Sequence, residues 1–86
     1  MPVLSRFLGM VVLMYYNDHD PPHFHVRYGE HQALLGIRDL RLLAGSLPPR
    51  ALGLVIEWAS RYREELWANW ERARRGEPLV PIPPLE

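Results

Sequence analysis

Three of the four histidines of this chain, His19, His23 and His25, lie in the run YYNDHDPPHFHVR between Tyr15 and Arg27, with Asp18, Asp20 and a proline pair. His23 and His25 stand two residues apart, so on a strand both imidazoles leave the same face about 7 Å apart. That spacing lets them share one metal ion, with a third donor from His19, Asp18 or Asp20 in the preceding turn. The candidate metal set is therefore His19, Asp20, His23 and His25, with Asp18 as an alternative carboxylate. It is a nitrogen–oxygen site for a divalent ion such as zinc, with a position left open. The same residues read metal-free as an acid–base set for a phosphodiester: His19, His23 and His25 exchange protons and Arg27 holds the anion. A third reading needs no function. NDHDPPH is then a rigid turn in which Asp18 or Asp20 caps backbone amides, and His23 and His25 are surface residues of a half-solvated sheet. All three remain open at the level of sequence.

The elements that must carry these residues follow from periodicity. Residues 7–16 are apolar almost throughout and rich in Val and Tyr, which predicts a strand covered on both faces. Asn17 to Pro22 ends it. Residues 23–28 alternate, with Phe24, Val26 and Tyr28 on one side and His23, His25 and Arg27 on the other. Gly29-Glu30 suits a two-residue hairpin. Its register sets Tyr28 opposite His31, Val26 opposite Ala33 and Phe24 opposite Leu35, with a third strand over 32–37. His31 then falls on the face away from His23 and His25. A short fourth strand is expected over 40–44.

Ser46 is a candidate cap and the following prolines suit a first helical turn. Leu52, Val55, Ile56, Ala59, Leu66, Trp70 and Ala73 recur at helical spacing, predicting one helix over 48–75. At 1.5 Å per residue it would be about 40 Å long, more than so small a domain can cover. Trp58 and Leu54 fall off its main stripe, so they are expected to meet a second chain in a homo-oligomer or to lie under the proline-rich tail, 77–86. The expected fold is α+β: a small antiparallel meander of three or four strands packed on one long C-terminal helix, in a single domain over 1–86.

Composition narrows the functional classes. The 86 residues suffice for one core. Formal net charge is zero, which argues against a general polyanion-binding role but leaves room for local patches. All ten basic residues are Arg, the side chain suited to forked recognition of carboxylate or phosphate. Without cysteine there is no disulfide framework, thiolate metal site or cysteine nucleophile. With no signal peptide, this points to the cytoplasm. The longest apolar run is half of what a membrane-spanning helix needs, about 20 residues.

MPVLSRFLG, MYYNDHDPPHFHVRYGEHQAL, LPPRALGLVIEWA, EELWANW, GEPL and IPPLE together resemble the domain of unknown function 4160, a family of short bacterial proteins, over nearly the whole chain. The family motif falls on Asn17, Asp18, His19, Pro21, Pro22, His23, Phe24, His25, Val26 and Arg27. The resemblance implies a gene beside a second small domain of unknown function (2442), a pairing of the toxin–antitoxin type. The expected function is accordingly one member of a two-protein module that acts by binding a small cognate partner, with nucleic acid as a further candidate ligand. The alternative is a small ribonuclease-type toxin working through His19, His23, His25 and Arg27, with or without metal.

Overall fold

Residues 2–85 are described by a computed structural model of the chain. Five strands form one antiparallel sheet in chain order: β1 (Val3–Phe7), β2 (Met10–Leu13), β3 (His23–Tyr28), β4 (His31–Gly36) and β5 (Leu42–Gly45). Two helices follow, α1 (Pro49–Arg61) and α2 (Arg63–Arg74). The α+β class and the meander are as expected. The strand count and the single long helix are not.

The apolar run 7–16 is not one strand. Leu8 and Gly9 both have positive φ, 50° and 80°, the conformation of a tight hairpin turn matched to the twist of the flanking strands. The chain reverses there, and the residues before the turn form β1, with Phe7 opposite Met10 and Arg6 opposite Val11. β2 ends at Leu13, ahead of a turn at Tyr16 and Asn17, the latter at φ 56°. The β3–β4 register is the expected one: Tyr28 opposite His31, Val26 opposite Ala33 and Phe24 opposite Leu35. β5 starts two residues later than expected and runs to Gly45, where φ is 77° and an added Cβ would collide with the Gln32 carbonyl oxygen. Only glycine fits that approach.

The helix over 48–75 is broken at Tyr62 (φ −115°, ψ 29°). The break answers the length problem, because the longest dimension of the molecule is 33 Å. Ser46 gives no side-chain cap; Pro48 occupies the cap position with Pro49 at the first helical residue. α1 buries Ala51, Val55, Trp58 and Ala59, so its inner face is rotated from the predicted stripe and Trp58 is fully buried. The Trp58 ring lies 5.3 Å from Phe7 and 6.2 Å from Phe24, on the sheet face that also carries Val12, Val26 and Leu35. In α2, Leu66, Asn69, Trp70 and Ala73 are buried, while Arg63 is exposed.

The tail closes the structure. Trp58 Nε1–H donates to the Pro83 carbonyl at 2.8 Å. Asn69 exchanges two 2.8 Å hydrogen bonds with the Val80 backbone, and the Ile82 amide donates to the Leu4 carbonyl of β1 at 2.8 Å. Ile82 and Leu85 are buried. The apolar surface around Trp58 that the sequence offered to a second chain is thus covered from within. No helix among the described residues is long and apolar enough to cross a membrane.

Candidate functional site

β3 presents His23, His25 and Arg27 on the face away from α1, because strand side chains alternate and Phe24 and Val26 fill the core. The loop over residues 14–22 joins β2 to β3 and folds back over the start of β3. This brings Asp18 to the two imidazoles. Asp18 Oδ2 lies 2.9 Å from His23 Nε2 and 3.2 Å from His25 Nε2. Asp18 Oδ1 accepts the His19 backbone N–H at 3.1 Å, which fixes the carboxylate plane. The two imidazole rings are 5.2 Å apart.

The surroundings hold the rings in place. His23 is buried, 5 % exposed, with its ring 5.3 Å from that of Trp70 in α2. Its Nδ1 is 2.7 Å from the Pro21 carbonyl oxygen. A carbonyl can only accept, so Nδ1 carries a proton and Nε2 is left facing Asp18. The Tyr15 and His25 rings meet in a T at 90°, their centres 4.5 Å apart, and the Tyr15 hydroxyl accepts from Arg27 at 3.3 Å.

Electrostatics follow from this packing. His25 is pushed below the ordinary imidazole value, chiefly by burial and further by the charges of His23 and Arg27, against the pull of Asp18. The neutral ring donates Nε2–H to Asp18. For Asp18, burial works to raise the pKa, but hydrogen bonds from His25 and the His19 amide, with the charge of His23, outweigh it and hold the carboxyl below its usual value.

Asp18, His23 and His25 each bring one ligand atom into a group spanning no more than 4.8 Å. Of the residues singled out from sequence, His23, His25 and the alternative carboxylate Asp18 are in this group, and His19 and Asp20 are not. The His19 side chain is 96 % exposed, and Asp20 turns outward to pair with Arg74 at 3.6 Å. Arg27 is exposed on the same strand face. His31 lies on the other face, stacked 6.4 Å from Tyr28. Sequence reasoning missed Tyr15 and Trp70, which clamp the two rings. No residue pattern marks an aromatic as the neighbour of a histidine 10 or 47 positions away.

Residues 9–71 match the family described as Domain of unknown function (DUF4160). The chain belongs to that family. The DUF4160 match runs from the turn before β2 to the ninth residue of α2, so it contains Asp18, His23, His25, Tyr15 and Trp70 and leaves out β1 and the tail. No curated protein and no solved structure matches the chain.

Proposed function

We propose that this DUF4160 chain binds a divalent metal ion, zinc by its donor set, and uses it to hydrolyse phosphodiesters of the ribonuclease type. The observation that carries the reading is the crowding of two imidazole nitrogens on one carboxylate oxygen. With its Nδ1 proton committed to Pro21, a neutral His23 presents a lone pair to Asp18 Oδ2 at 2.9 Å. Two acceptors at that distance need a cation between them, either a second ring proton or a metal. Tetrahedral zinc with ligands about 2.05 Å away separates its donors by about 3.3 Å, close to the 2.9 and 3.2 Å between Asp18 Oδ2 and the two imidazole nitrogens. The Pro21 carbonyl behind His23 is the outer-shell partner a metal-bound histidine takes.

A bound zinc ion would supply Lewis-acid charge and a water of lowered pKa. The remaining work falls to the chain. Asp18 offsets the metal charge, Trp70 and Tyr15 keep water from the ring faces, and Arg27 stands two residues along the strand as a cation for a phosphoryl oxygen. The test is metal analysis of chelator-free protein, with RNA cleavage followed in wild type, Asp18→Asn and His23→Ala. One equivalent of zinc in wild type, none in the variants, and cleavage lost with the metal are the expected results. Cleavage that survives chelation would leave the metal-free acid–base reading in its place.

The second reading is partner binding within a two-protein, toxin–antitoxin-like module. β5 supports it: all four of its residues are exposed, with Leu42 41 % and Leu43 44 % exposed, and it forms an open edge without charge or proline to protect it. Leu43 and Ala44 also line the recess holding His23 and His25. An extended segment of a small cognate protein added to β5 would pair with its backbone and cover the metal site. Copurification with the adjacent gene product, lost on Leu43→Lys, tests this. Unchanged binding by that variant sinks it.

A further inference from the structure

A second recess opens beside the candidate metal site, between α2, the proline pair before β3 and the end of β4, with a volume of about 550 Å³. That is within the range of small-molecule sites, about 300–1,000 Å³. Trp67, Trp70, Glu71 and Arg74 line its helical wall. They stand at i, i+3, i+4 and i+7, which is one face of a helix. Across from them are the faces of Pro21 and Pro22 and the side chains of Arg38, Asp39 and Leu43.

The recess has unspent binding capacity. Trp67 is half-buried, so part of its indole is uncovered. Trp70, 1 % exposed, backs the wall behind it. Gly36 keeps the opposite wall flat, since a Cβ there would crowd Asp39 Oδ1 at 3.1 Å. Asp20, Pro21 and Leu43 line both this recess and the one at His23 and His25, so the two adjoin.

We infer that this cleft binds a nucleobase, stacked on Trp67, with its edge read by Glu71 and its phosphate directed past Arg74 towards Asp18, His23 and His25. The chemistry selects the ligand. An apolar group would strand the charged rim, and a bare phosphate would leave the Trp67 indole and the three carboxylates Asp20, Asp39 and Glu71 unused. A nucleotide has a flat face to stack, amine groups for the carboxylates, and an anion for arginine. Zero net charge fits capture of one or two nucleotides at a fixed place, not of a long polyanion. The direction of the phosphate rests on the metal-centre reading above; the base site does not.

The test follows the three indole N–H signals by NMR while nucleoside monophosphates, nucleosides, ribose 5-phosphate or a proline-containing peptide are added. Zinc-loaded wild type, Asp18→Asn, Trp67→Ala and Glu71→Gln are compared. Nucleosides and nucleotides should shift Trp67 and Trp70 but not Trp58, which is committed to Pro83. Trp67→Ala should weaken binding about tenfold. If that variant does not fold, Glu71→Gln should still change the preference among bases. In Asp18→Asn the nucleoside shifts should persist while any gain from the phosphate is lost. Nucleoside shifts in protein that takes up no zinc would sink the metal reading and leave the base site standing. Normal zinc loading with no indole shift overturns the base site. So would ribose 5-phosphate acting as strongly as nucleotides, or the peptide binding more tightly than they do.

Discussion

Asp18 Oδ2 faces two imidazoles at once, and protons and metal ions compete for that arrangement. Zinc at a hundredfold its Kd should stabilise the fold by about 2.7 kcal/mol, a rise in Tm of about 10–20 °C for a domain this small. A melting scan with zinc, then with excess chelator, checks this, and His23→Ala should abolish the shift. The pH response of the metal-free protein has a defined sign. The folded pKa of His25 lies below its ordinary 6.5, so the unfolded chain binds the extra proton. That stability is complete above about pH 6.5 and is lost as pH falls through the folded value. Asp18, also lowered, adds a contribution present above about pH 3.8 and lost at more acid pH. Melts in chelator from pH 8 to 5 should therefore show Tm falling below about 6.5, and His25→Gln should flatten that part of the curve. The histidine pair was legible because a strand has a period of two. The choice of Asp18 over Asp20 was not, because both lie in a nine-residue loop without periodicity, and the path of that loop is set by contacts with β3.

At the scale of elements, an apolar residue in a turn misled the sequence reading. Leu8, 60 % exposed at φ 50°, sits where Asn is favoured, and its type joined two strands into one apparent run. The strand count was misread for that reason, whereas the β3–β4 hairpin was readable in full, since Gly29 announces its turn and both strands alternate. The helix break at Tyr62 has no proline or glycine to signal it, and seven-residue phasing carries across it undisturbed. Leu8 then becomes an opportunity for stabilisation. Leu8→Asn would create an Asn-Gly turn of the favoured kind and relieve a left-handed Leu that costs about 1–2 kcal/mol. A gain of about 0.5–1 kcal/mol in urea unfolding is expected, with metal uptake unchanged because the turn lies at the far end of β2 and β3 from His23.

For the whole molecule, the two sheet edges are treated differently. The tail joins β1 through the Ile82–Leu4 hydrogen bond and roofs Trp58, while β5 is bare. The helix surface named by the sequence is therefore not the one on offer, and self-association of the native chain should run through β5. Asn69 controls this difference. It is 1 % exposed, holds both backbone groups of Val80, and accepts from Arg72 Nη1 at 3.0 Å. Asn69→Ala leaves those groups unpaired, at a cost of about 1–3 kcal/mol, and loosens the segment that covers Trp58. Sedimentation across micromolar concentrations should separate the two surfaces. Wild type and Leu42→Lys/Leu43→Lys should differ only by whatever association β5 supports. Asn69→Ala should gain association that the β5 substitutions do not remove, with Trp58 fluorescence shifted towards that of a solvated indole. If Asn69→Ala stays as monomeric as wild type and its Trp58 emission does not move, the tail is held by its apolar contacts alone and the Asn69 clamp is dispensable.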